Sequence, residues 1–193
     1  MANKSSADLN EVLAEHDRLI KGLEKMILNM NSVHNIRYWY WCLSNFPKSE
    51  NLHEDLMKMD AFTTSIIISY GRLFGKGDAA MKLSKDNMPE SVRHVHDDII
   101  NLRNLRYAHH FQHETIKTRL EIQASGSSIL INPGINFLVC LGAPKEWAPL
   151  LKWLGEHMHE LLYKRLDLLT TKTGKKWEIQ NGPPPHWIES EAE

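Results

Sequence analysis

Apolar residues recur at steps of three and four along the first part of the chain. Leu9, Val12, Leu13, Leu19, Ile20, Leu23, Met26, Ile27 and Met30 fall on one face when wound at 3.6 residues per turn, which predicts a helix over about residues 7–31. Ser5 or Ser6 stands where a hydroxyl can cap its first turn. This helix either breaks near Asn31-Ser32 or continues through Trp41. The aromatic run IRYWYWCL (Ile36 to Leu43) suits a buried helix or a short strand. Helix is preferred because the run lies between helices with no strand partner nearby, and Phe46-Pro47 then ends it.

A second helix is expected over about residues 53–75. Its centre, AFTTSIIISYGRLFG, is apolar nearly all round, which marks the core helix. After a polar connection with room for one short helix, Pro89 stands at the first turn of a third helix reaching about Phe111. Val92, Val95, Ile99, Leu102, Leu105 and Ala108 supply its apolar face. The period then changes from 3.6 to 2. TRLEIQAS alternates, Gly126-Ser127 signals a turn, and SILINPGINFLVCL is β-branched and apolar. A β-hairpin is expected over about residues 118–141, or a three-stranded meander with a second turn at Pro133-Gly134. A fourth helix follows over about residues 147–171, with Leu150, Leu151, Leu154, Met158, Leu161, Leu162, Leu166 and Leu169 on its apolar face and Gly174 at its end. The pattern therefore predicts a mainly α protein: one helical domain, residues 1–175, carrying a small β-hairpin insertion, and a flexible tail, 176–193, with Pro183-Pro184-Pro185 and a closing ESEAE.

Composition narrows the function classes. A chain of 193 residues with 42% hydrophobic and 24% charged residues can bury a core without metal or disulfide staples. The formal net charge of -1 provides no global basic field, so no protein that coats duplex DNA is expected. No apolar run approaches the roughly 18 residues of a membrane helix, and no signal-type segment opens the chain, so a cytoplasmic location is expected. Cys42, in a helix, and Cys140, in a strand, lie far apart among apolar residues and read as inert buried thiols of a reducing compartment.

Candidate chemistry concentrates at the end of the third helix, INLRNLRYAHHFQHE. At 100° per residue, Arg103 and His110 return to within about 20° of one face, and His96 lies about 20° to the other side. His109 lies about 120° from Arg103 unless the last turn unwinds. Arg106 and Tyr107 flank the stripe. Arg stays charged and can hold two phosphate oxygens, while His moves a proton near neutral pH. Such a pair can cut RNA without a metal: the 2′-hydroxyl attacks the neighbouring phosphorus, His acts as base or acid, and Arg stabilises the added negative charge. One such pair is thin, and two copies facing each other across a dimer make a fuller site. Basic residues at a helix end also suit its dipole without any catalytic role.

The run Leu102-Arg103-Asn104-Leu105-Arg106-Tyr107-Ala108-His109-His110 resembles the signature of HEPN domains (higher eukaryotes and prokaryotes nucleotide-binding), an Arg and a polar residue followed after a short gap by His. Both His109 and His110 satisfy the gap. The form Arg-Asn-x-x-x-Ala-His is similar to the abortive-infection branch, and Ser69-Tyr70-Gly71-Arg72-Leu73-Phe74 resembles a helix end common there. The resemblance covers the helices from about residue 7 to 111 and the closing helix. It implies a helical bundle that dimerises through this helix, and a metal-independent endoribonuclease of toxin or phage-defence type, with RNA as substrate, an antitoxin protein as the partner class and no cofactor. On that basis Arg103 holds the phosphate, His109 or His110 is the acid/base, Asn104 orients the Arg or binds substrate, and Arg106 and Tyr107 contact substrate. The Tyr that some HEPN toxins carry two residues after the His is replaced by Phe111 or Gln112, so neutralisation through it is not implied. Not all HEPN proteins are nucleases, and a non-catalytic nucleotide-binding or interaction module is the alternative.

Other groupings carry less. His109 and His113, with Glu114, have two-ligand spacing and no third ligand, so no metal is expected. In His94-Val95-His96-Asp97-Asp98, and again at His157 and His159, neighbours two apart diverge on a helix, which leaves solvation as their role. Trp39-Tyr40-Trp41 suits either core or dimer packing, or stacking with bases.

Overall fold

The computed structural model describes residues 11–47, 49–75, 81–107, 116–125, 128–137, 143–180, 182 and 185–189. The chain folds as a mainly helical protein with an antiparallel hairpin. Among the described residues there are four long helices: α1 (Asp17–Ser44), α2 (Leu52–Phe74), α3 (Glu90–Leu102) and α4 (Trp147–Thr173). Residues 11–15 are also helical and lead into α1. A 3₁₀ turn (Lys85–Asn87) precedes α3, and a short helix α5 (His186–Glu189) follows α4.

Local chemistry sets the ends. The Asn51 side chain accepts from the Glu54 N–H at 3.2 Å and starts α2, with Glu54 and Asp55 in its positive first turn. Pro89 stands at the N-cap of α3, one residue before the first turn expected for it. Gly174 takes φ 65° and closes α4, a left-handed conformation that glycine adopts without a Cβ clash. The aromatic run Ile36 to Leu43 lies inside one uninterrupted helix, so the break considered at Asn31-Ser32 does not occur.

α1 packs against both α2 and α4, and α3 touches α2 and α4. Ile36, Ile66, Ile67, Tyr70, Ile99, Leu150 and Leu154 are fully shielded at the centre. The apolar face expected for α1 is displaced: Met26, Val33, Ile36 and Leu43 are buried, whereas Ile27 is exposed. Two buried polar groups tie loops to the bundle. Asn29 donates to the Met81 carbonyl at 2.5 Å, and Asp55 accepts from the Ser49 N–H and Oγ, both at 2.7 Å. Those two Ser49 hydrogen bonds hold the Asp55 carboxyl below its ordinary pKa.

The hairpin pairs β1 (Ile116–Ser125) with β2 (Ser128–Phe137), Ser125 opposite Ser128, so two residues join the strands. Pro133 and Gly134 are not a turn. They pair with Leu120 and Arg119 inside β2, which excludes the three-stranded meander over these residues. Within 119–124 and 128–133 no side chain is buried.

The tail beyond 175 is not free throughout. Trp177 packs on the core, and Trp187 is buried, with its ring against His34, Tyr38 and Arg37 of α1. Three aromatic and cationic contacts on one indole anchor α5 to the bundle. Among the described residues no helix is long and apolar enough to cross a membrane.

Candidate functional site

α3 ends at Leu102, and the backbone then opens into a π turn over Arg103–Tyr107. The wider i→i+5 winding changes the angle between successive side chains. The 100° arithmetic that aligned Arg103 with His110 therefore stops at Leu102. Leu105, expected on the core face, is accordingly exposed. His109, His110 and His113 lie outside the described residues.

Arg103 is half-buried, and its stem crosses Gly71 of α2. A methyl group at Gly71 would sit 3.0 Å from Cδ and 3.2 Å from Nε of Arg103, so the missing side chain gives the arginine its place. The structure thus brings together the two stretches singled out from sequence, the turn after α3 and Ser69-Tyr70-Gly71-Arg72-Leu73-Phe74. Nη1 of Arg103 donates to Oδ1 of exposed Asn104 at 3.0 Å. Nε is buried and has no hydrogen-bond partner among the described residues. A buried, unpartnered donor on a charged group is costly to keep and marks a place where an acceptor would be gained.

Arg106, three residues on, is turned inward. Its side chain is 7% exposed, its Nη2 lies 3.1 Å from Oδ1 of Asp60, and its guanidinium sits 4.8 Å over the Tyr107 ring. Tyr107 in turn packs on the core. These contacts join the π turn to α2. Of the four residues described at this site, Arg103 and Asn104 reach outward and Arg106 and Tyr107 brace them.

His96 is buried rather than solvated, and like Arg103 it lies against α2. Its Nδ1 shares a hydrogen bond with the Tyr70 hydroxyl at 2.8 Å, and Phe74 meets its ring edge-on at 4.5 Å. Burial pushes the His96 pKa down, with Asp97 opposing and Lys85 reinforcing, and burial likewise pushes Tyr70 up. The neighbouring Asp97 is exposed and bridged by Lys85 at 2.6 Å, which lowers its pKa. The Tyr70–His96 pair is a core polar contact. His157 stacks on Trp153 at 5.0 Å, while His159 is exposed on the face of α4 toward α1.

The aromatic run is divided among packing tasks. Trp39 and Tyr40 lie against the core, Tyr40 donates to the Pro144 carbonyl at 3.0 Å, and Trp41 stacks on Tyr38 and meets His186 edge-on. Cys42 is a free, half-buried thiol, less enclosed than expected, and Cys140 lies outside the described residues. Among the described residues no group of three His, Cys, Asp or Glu side chains converges as a metal site would require.

Sequence reasoning passed over Arg37 and the cleft it divides. The available signal was Gly155 within the leucine-rich α4, because glycine inside a helix lowers stability and needs a packing reason. No known protein family, curated protein or solved structure matches this chain.

Proposed function

We propose that this protein is a metal-independent endoribonuclease of toxin or phage-defence type, acting through Arg103 with His109 or His110. The observation that carries the reading is the state of Arg103: seated on Gly71, hydrogen-bonded to Asn104, and left with a buried Nε that lacks an acceptor among the described residues. A phosphate oxygen would supply that acceptor in a charge-assisted hydrogen bond. In the reaction, His takes the 2′-hydroxyl proton, the 2′-oxygen attacks phosphorus, and the 5′-oxygen leaves with a proton. A 2′,3′-cyclic phosphate remains, and Arg103 stabilises the charge gathered at phosphorus. The HEPN-like reading adds a homodimer, which brings two copies of the motif together, a cytoplasmic location and an antitoxin partner.

The test is cleavage of total RNA and tRNA in EDTA. Wild type yields cyclic-phosphate ends, and Arg103→Ala lowers the rate by about 10²–10³-fold, the usual cost of one charge-stabilising donor. Retained cleavage in an Arg103→Ala, His109→Ala, His110→Ala triple variant would falsify the assignment.

A second reading, a non-catalytic nucleotide-binding or protein-interaction module of the same fold, is favoured by Arg106, whose charge is taken up by Asp60. It predicts RNA retention in a gel-shift assay with no cleavage by wild type.

A further inference from the structure

Two cavities flank Arg37 in the groove between α1 and α4. One, about 480 Å³, is lined by His34, Tyr163, Gln180 and Ile188. The other, about 830 Å³, is bounded by Tyr40, Lys152 and Glu156. Arg37, Gly155 and His159 line both, so the two are halves of one cleft with a guanidinium between them. These volumes fall in the range of small-molecule sites, which bundles commonly form between helices.

The cleft is built around the arginine. A methyl group at Gly155 would lie 3.0 Å from Nη1 of Arg37, so glycine is what lets the guanidinium lie across α4. On its other side the guanidinium carbon sits 5.9 Å from the Trp187 ring, and the His34 ring meets the same indole edge-on at 4.9 Å. Trp187 is 4% exposed, so the post-helical segment is packed down where it borders the cleft. The larger half is lined by Arg37, Lys152 and His159, whose nitrogen donors can meet a phosphate, beside Glu156. The smaller half offers the exposed ring of Tyr163 and the His34 imidazole.

We propose that this cleft binds a small phosphate-bearing ligand of mononucleotide size, with its phosphate on Arg37 and Lys152 and its planar ring in the smaller half beside Tyr163 and His34. Arg matches phosphate geometry through paired N–H donors, and a phenol ring accepts a planar base at little entropic cost. The site is separate from the Arg103 turn and does not depend on the nuclease reading.

Calorimetric titration of the full chain with AMP, ribose 5-phosphate, adenosine and inorganic phosphate tests it. AMP should bind saturably at one site per chain, ribose 5-phosphate more weakly and adenosine more weakly still. Arg37→Gln should weaken AMP by about tenfold or more, the scale of a lost hydrogen bond to a charged group. Lys152→Ala and Tyr163→Ala change exposed side chains and should each weaken AMP several-fold in a folded protein, which keeps the test decisive if Arg37→Gln does not fold. No saturable binding of any of the four, or AMP affinity untouched by both exposed-site variants, overturns the proposal. Inorganic phosphate binding as tightly as AMP overturns the assignment of a nucleotide-sized ligand.

Discussion

Ile99, Leu150 and Leu154 in the bundle are fully buried, whereas Ile129 and Ile131 in the hairpin are 72% and 62% exposed. The residue types are alike and the difference is one of layers. In the bundle, apolar stripes from several helices converge and cover one another. In the hairpin, the cross-strand pairs Leu120–Pro133, Ile122–Ile131 and Ala124–Ile129 gather on one face of a two-stranded ribbon, and nothing in the described chain lies over that face. A ribbon of two strands has little stability of its own. Apolar pattern therefore sets which side of an element is greasy, and only a facing layer turns that side into a core.

The sharpest way to break this comparison is to cut into the bundle. Leu154→Ala should destabilise the protein by about 2–5 kcal/mol, read by urea unfolding, because a buried leucine leaves both lost transfer energy and a cavity. A loss comparable to that of a hairpin substitution would show that the bundle is not where stability resides. Asp60→Ala comes next. It removes the Asp60 carboxylate from the 7%-exposed Arg106 guanidinium and should cost about 1–3 kcal/mol, less than for a fully enclosed pair because Asp60 is 36% exposed. An unchanged midpoint would mean that Arg106 finds another acceptor.

A pH series gives a shallower effect from the same bundle. Burial depresses the folded pKa of His96 below its ordinary 6.5, so the unfolded chain binds the proton more readily than the folded one. The stability this contributes is fully present above about pH 6.5 and is lost as pH falls through the lower folded value. His96→Gln should flatten that part of the stability–pH curve, and an unaltered slope would remove His96 as its source. The smallest effect is expected in the hairpin: Ile131→Thr should change global stability by no more than about 0.5 kcal/mol, as for exposed positions generally. A loss of several times that would reveal that this face is covered in solution.

The two arginines of the π turn repeat the contrast at the scale of one turn. Arg103 and Arg106 read alike in the run Leu102 to Tyr107, and both were expected at a substrate. Asp60, 46 residues before Arg106, draws one of them into the bundle, while Gly71 seats the other with an Nε that has no partner among the described residues. Neither partner is legible from the local pattern, because both come from α2.

By itself the sequence determined the elements. Period 3.6 and period 2 are local consequences of backbone geometry, so the four long helices, the hairpin joined at residues 126–127 and the glycine stop at Gly174 all follow from nearest neighbours along the chain. Tertiary structure decided what covers what. It made His96 a core residue through Tyr70, anchored Trp187 on α1, opened the π turn that ends the regular wheel at Leu102, and used Gly155 to admit Arg37 between two helices. Each of these depends on a partner distant in sequence, and such partners are fixed only when whole faces pack.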